Sequence, residues 1–212
     1  MPTTPTILAF ALASLALLLI PGPAVLYILN RSVSDGQRVG LAAVAGLELG
    51  NAVHAIAAAL GLSAVLATSA IAFNAVKWIG VVYLVVTGIR ILRHPPKIVS
   101  EQATGHTAAK AFRQGIVVNI FNPKVALFFL SFLPQFIDPH RGRGALQALI
   151  LGIVFVLIGC VTDSAYSLVA SSLRTVLLRG KGLPFMQRYV AGTVFIGLGL
   201  VAAATGRART TS

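Results

Sequence analysis

Acidic residues are scarce in this chain: five Asp and Glu stand against seventeen Lys and Arg in 212 residues. Charged residues together make up 10%, where a soluble domain carries about a quarter, and 57% of the chain is apolar. That excludes a soluble globular fold. Cysteine is nearly missing too. Cys160 stands alone, which excludes an internal disulfide and a two-thiol electron carrier. His94, His106 and His140 fall in polar stretches, and no His, Cys and carboxylate cluster has the spacing of metal ligands, so neither a metal nor a cofactor is expected. There is also no zinc motif, no paired aspartates in a protease setting and no Ser/His arrangement at matching depth, so an enzyme is not expected. Lys and Arg are missing before Arg31, so the first apolar run lacks the charged start of a signal peptide and reads as a mature helix.

What is present is length in apolar runs. A helix crosses the hydrocarbon core with about 20 residues. Six segments qualify, near 6–29, 39–66, 70–92, 114–137, 145–173 and 187–205. The chain therefore reads as an all-α integral membrane protein with six transmembrane helices. The net charge of +12 would suggest nucleic acid in a soluble protein; here the basic residues lie between apolar runs, so the partner is the lipid bilayer and no nucleic acid is expected. Odd-numbered loops collect Arg31, Arg38, Arg90, Arg93, Lys97, Lys110, Arg113, Arg174, Arg179, Lys181 and Arg188; the opposite side receives Arg141, Arg143, Arg207 and Arg209. The positive-inside rule then places both termini outside.

The loop 93–113 divides the chain into a first three-helix repeat, 1–92, and a second, 114–212. Three is odd, so similar halves would be inverted relative to each other. Pro21-Gly22-Pro23 in the first span answers to Asn122-Pro123-Lys124 in the fourth. Asn51 and His54 in the second match Asp163 and Tyr166 in the fifth, and Lys77-Trp78, Gly80, Tyr83, Gly88 match Arg188-Tyr189, Gly192, Phe195, Gly199. Each proline removes a helical hydrogen bond, freeing the carbonyls of Leu19 and Asn119. Such groups survive in hydrocarbon only when buried in protein or lining a cavity, and breaks at matching positions of two halves point to a transporter's binding site.

An ionisable group at mid-membrane costs about 2.5–3.5 kcal/mol or more, so Glu48, Lys124 and Asp163 are functional candidates. Glu48, Asn51 and His54 fall within an arc of about 120° on one helix, with Gly46 and Gly50 opposite as a packing stripe. Gly159, Asp163, Tyr166, Ser167 and Ala170 share a face of another. Simpler roles stand beside these: His54 as a hydrogen-bonded core residue, Asp163 with Lys124 as an ion pair fixing register, and Asn119 and Asn122 as partners for freed backbone. Glycine-rich faces leave room for a homodimer.

The chain resembles the LysE/RhtB family of bacterial amino-acid exporters over nearly its whole length. The resemblance rests on Pro21-Gly22-Pro23, Gly46 to His54, Lys77-Trp78-Ile79-Gly80 with Tyr83-Leu84 and Gly88, Asn119, Asn122-Pro123-Lys124, Leu133-Pro134-Gln135-Phe136, and Asp163 with Tyr166. It implies a six-span exporter of the bacterial inner membrane, driven by proton or cation exchange. Ala24 stands where many members carry an acid or amide after the triplet, and Asn51 where many carry Asp. Fewer carboxylates favour a neutral substrate of the homoserine, threonine or leucine kind. The substrate carboxylate would then meet a half-helix start and Lys124, its ammonium would meet Glu48 or the freed carbonyls, and Asp163 would carry the proton. The rival readings are export of another small metabolite or a metal ion, or a scaffold without transport.

Overall fold

Thr3 opens the first helix. Its hydroxyl accepts the Thr6 N–H at 3.3 Å, and Pro5 sits in the first turn, where a missing N–H leaves no bond unmade. This helix, α1, runs Thr4–Leu18 and stops ahead of Pro21; α2, Pro23–Asp35, resumes after a bend of 57°. The same device recurs in α4, Ala108–Ile120, and α5, Pro123–Ser131, which with the 3-10 turn Leu133–Phe136 bend by 47°. Between the bent pairs in the chain lies the unbroken α3, Gln37–Thr68, and after them α6, Gly144–Ser172. The computed structural model describes residues 1–68, 105–138 and 141–172, together with Trp78, Val82, Val86, Ile89 and Arg93.

Among the described residues every regular element is helical. Among these residues two helices are long and apolar enough to cross a membrane, and up to four spans result if each bent pair counts as one. The expected third and sixth spans, 70–92 and 187–205, lie outside the described residues except for Trp78, Val82, Val86 and Ile89. Those four are helical and exposed, three or four positions apart, which is the spacing of one apolar helix face.

Two loop expectations are corrected. Residues 30–35 were expected outside the membrane spans, yet α2 continues to Asp35, because the Arg31 and Asp35 side chains, each 3% exposed, pair at 3.0 Å one helical turn apart. Only Gly36 then separates α2 from α3; its φ of +90° suits a residue without Cβ. Likewise the helix of the expected fourth span begins at Ala108, ahead of 114, because the Thr107 hydroxyl caps it by accepting the Lys110 N–H at 3.3 Å. At the other turn Gln147 fastens the chain, accepting from Asp138 N–H and donating to the carbonyls of Asp138 and Gly142.

Among the described helices α3 is the central one, packed on α4 and α6. Lipid tails are as apolar as side chains, so helices associate by close packing. Gly46 and Gly50 lie against α4, where a Cβ on Gly50 would stand 2.7 Å from that of Asn119; Gly115 faces Ala43 in return. Gly152 and Gly159 press α6 against α3. These glycines are occupied inside the chain, so they supply no dimer face. Beyond the breaks, α1, α5 and α6 meet through Phe10, Phe128, Phe129, Phe132 and Phe155, all buried, with ring centroids as close as 4.9 Å.

Candidate functional site

A helix leaves its last carbonyls without intrahelical donors, and α1 ends inside the bundle. Lys124 answers this end. It is the second residue of α5, only 4% exposed, and its ammonium donates to Leu17 O at 3.0 Å and Ile20 O at 2.9 Å. A cation at a helix C-terminus also opposes the negative end of the macrodipole. Tyr166 of α6 donates its hydroxyl to Leu19 O at 2.8 Å. The three carbonyls at the first break therefore have donors from two other helices. Pro21 and Gly22 are buried and Gly22 lies beside the Lys124 side chain, whereas Pro23 and Pro123 are exposed and act through the backbone alone.

The second break is held by amides. Asn122 caps α5 by accepting the Lys124 N–H at 3.1 Å and donates to Asn119 Oδ1 at 3.2 Å. Asn119 donates to Asn51 Oδ1 and to Leu47 O, both at 2.6 Å. Asn51 donates in turn to Glu48 Oε2 at 3.0 Å. The freed carbonyl of Asn119 meets His54 Nε2 at 3.0 Å and also accepts the Asn122 N–H. A carbonyl only accepts, so His54 carries its proton on Nε2 in this contact. The ring stacks near Phe129, at 6.4 Å between centroids.

The prolines were expected to leave carbonyls open to a substrate. Instead Leu19 O and Asn119 O are taken by Tyr166 and His54. Between the breaks, among the described residues, two buried carboxylate oxygens have no hydrogen-bond partner: Glu48 Oε1 and Asp163 Oδ1, on residues 5% and 3% exposed. Glu48 reaches across from α3 to Gly159, where a Cβ would stand 2.6 and 2.7 Å from its two oxygens. Asp163 is one turn further along α6, so both buried carboxyl groups belong to the α3–α6 contact. The suggested Lys124–Asp163 ion pair is not formed at contact distance among the described residues; Lys124 is turned to the carbonyls at the end of α1.

The twelve residues singled out in the sequence thus gather at the two breaks and on the α3–α6 contact between them. The sequence reading did not bring out a second cluster, formed by Tyr27, Arg31, Asp35 and His106. Arg31 is buried, paired with Asp35, hydrogen-bonded to His106 Nδ1 and 5.9 Å from the Tyr27 ring centroid; Tyr27 donates to Ala111 O at 3.0 Å. Its one local signal was the spacing of Arg31 and Asp35. Nor was the buried Ser32–Ser167 contact at 2.8 Å visible, since it joins residues far apart in the chain.

Comparison with known proteins finds relatives over nearly the whole chain. A membrane protein of Vibrio cholerae is 33% identical over 198 residues, covering 92% of this chain and 95% of that protein. A membrane protein of Pseudomonas aeruginosa is 30% identical over 197 residues, covering 90% of this chain and 91% of its own length. The homoserine/homoserine lactone efflux protein of Salmonella typhimurium is 29% identical over 201 residues, 94% of this chain and 97% of that protein. No solved structure matches. The family model described as LysE type translocator matches residues 15–206. With that match running from the first helix almost to the C-terminus, over apolar helices broken at Pro21–Pro23 and Asn122–Pro123, this chain belongs to the LysE type translocator family of transmembrane transport proteins.

Proposed function

We propose that this chain exports a small neutral amino acid from the bacterial cytoplasm across the inner membrane in exchange for a proton. Two inverted three-helix halves, 1–92 and 114–212, rock about a mid-membrane site, with both termini outside. The observation that carries this reading is the facing pair of buried carboxyl groups, Glu48 and Asp163, each with an oxygen lacking a donor. Like charges so close and so dry are costly, and either a proton or a substrate ammonium supplies the missing donor. One site that accepts one or the other, not both, is the logic of exchange.

The rest of the geometry fits a zwitterion. The start of α5 is capped by Asn122, whereas α2 begins at Gly22 with no side-chain cap, and a substrate carboxylate would supply the acceptor there. The named efflux function of the Salmonella relative favours a homoserine-like cargo. One proton crossing roughly 150 mV releases about 3.5 kcal/mol, which sustains a gradient of a few hundred-fold.

The test is efflux from cells producing the protein and preloaded with a mixed amino-acid pool. One or a few neutral amino acids should leave faster than from control cells; if none does, the reading fails. Gly159→Ala supplies a sharper check. Its new methyl group must displace the Glu48 carboxylate, the flexible end of a side chain, so the chain should still accumulate in the membrane. Efflux should fall by about tenfold or more, as displacements near 1 Å do at preorganised sites. Unchanged efflux by this variant would remove Glu48 from the pathway.

A further inference from the structure

An open cavity of about 670 Å³ lies between α2 and α4, where Tyr27, Asn30, Arg31, His106, Arg113 and Gln114 line it together with Val117 and Val118. Its size is that of small-molecule sites, roughly 300–1,000 Å³. None of its lining residues belongs to the Glu48–Asp163 pair, and its charge is of the opposite sign. α2 and α4 are the halves of the two broken helices that end at the basic loops. At a rise of about 1.5 Å per residue, Arg31 stands about 12 Å beyond Pro23 and Gln114 about 7 Å before Asn119, so the cavity lies in line with both breaks.

We propose that this cavity is a docking site for the carboxylate of the exported amino acid, occupied before the cargo reaches the carboxyl pair; the proposal rests on the export reading. Its wall is built in advance. Asp35 neutralises Arg31 and holds its guanidinium, accepts the His106 N–H at 3.3 Å, and is not part of the lining. Tyr27 and Gln114 tie α2 to α4 through a contact of 3.3 Å. Arg113 carries the uncompensated charge. It is exposed, and among the described residues only its Nε is engaged, on Ala109 O at 3.4 Å. A guanidinium fork matches a carboxylate with two parallel hydrogen bonds. Asn30, Gln114 and His106 add neutral polar groups around it.

A phosphate, free or on a lipid headgroup, offers a guanidinium the same chemistry, so the test must separate them. Cys160 is the sole cysteine, and Cys160→Ser gives a background without thiols. On that background Asn30→Cys reports on the cavity, with Val117→Cys, also in the lining, as a second reporter should the first fail to accumulate. Membrane vesicles exposing the basic loops are labelled with anionic and cationic methanethiosulfonates of equal size. The anionic reagent should react about tenfold faster, and Arg113→Gln should erase that preference. Homoserine should slow labelling, while inorganic phosphate at equal concentration should not. Equal rates for the two reagents, or protection by phosphate alone, would overturn the proposal. Labelling reads the cavity without transport, so protection in a chain that exports nothing would leave the site standing and remove the export reading.

Discussion

Replacing Asp163 by Asn is expected to reduce efflux to the level of cells lacking the protein while leaving the fold at least as stable. The two halves of that expectation come from the same geometry. Asp163 is 3% exposed and faces Glu48 with no hydrogen-bond donor between the unpartnered oxygens. Asparagine has nearly the same shape and brings an N–H₂ group, which can donate to Glu48 Oε1. That new bond between buried groups is worth about 1 kcal/mol, so thermal unfolding in detergent should occur at the same temperature or slightly higher. Yet the amide occupies permanently the place that a proton or an ammonium must take and leave. Amino-acid efflux, followed outside preloaded cells at several pH values, should become flat and close to background. Wild-type rates with unchanged pH dependence would show that the carboxyl pair is structural.

Lys124→Met should do the reverse and strike the fold. Methionine fills nearly the same volume, so little empty space is left beside Gly22. The carbonyls of Leu17 and Ile20, however, lose the ammonium that holds them at 3.0 and 2.9 Å. Hydrogen bonds to a charged donor are worth about 1.5–3 kcal/mol each, whereas transmembrane hydrogen bonds average well under that, about 0.6 kcal/mol. The buried position of these two and the loss of the charge at the α1 dipole place the expected cost at about 2–4 kcal/mol. For a chain of this size that corresponds to a fall of roughly 5–10 °C in the midpoint of thermal unfolding, read on purified protein. A midpoint within one degree of wild type would mean that the α1 end finds other donors, and that Lys124 is not its clamp.

The two breaks could be read from local sequence because proline acts on its own backbone, whatever surrounds it. Glu48, Lys124 and Asp163 stood out for a similarly local reason, the cost of charge in hydrocarbon. Their partners were not legible. That Lys124 turns to α1 depends on where α5 starts relative to Leu17, more than a hundred residues earlier. That Glu48 and Asp163 share one place depends on Gly159 letting α3 and α6 approach, and no pattern within either helix announces it. Hydropathy also left residues 30–35 and 108–113 out of the helices that contain them. It weighs Arg31 and Asp35 as water-seeking groups, although a pair one turn apart satisfies itself well enough to stay in the helix.

The row of asparagines has a direction. At one end stands the backbone N–H of Lys124, which can only give a hydrogen bond, so the Asn122 oxygen must point to it. The Asn122 nitrogen then has to face Asn119 Oδ1, and the Asn119 nitrogen is left for Asn51 and for the carbonyl of Leu47, which can only receive. The Asn51 nitrogen is thereby committed to Glu48. None of these amides can flip alone, and turning all of them would set two donors against each other at the first link and two acceptors at Leu47. The opening turn of one span thus dictates which face of the Glu48 carboxylate is served in another, like gears whose sense of rotation is set by the first wheel. A small rotation of α5 would reach that carboxylate as a change of orientation, without the two ever touching.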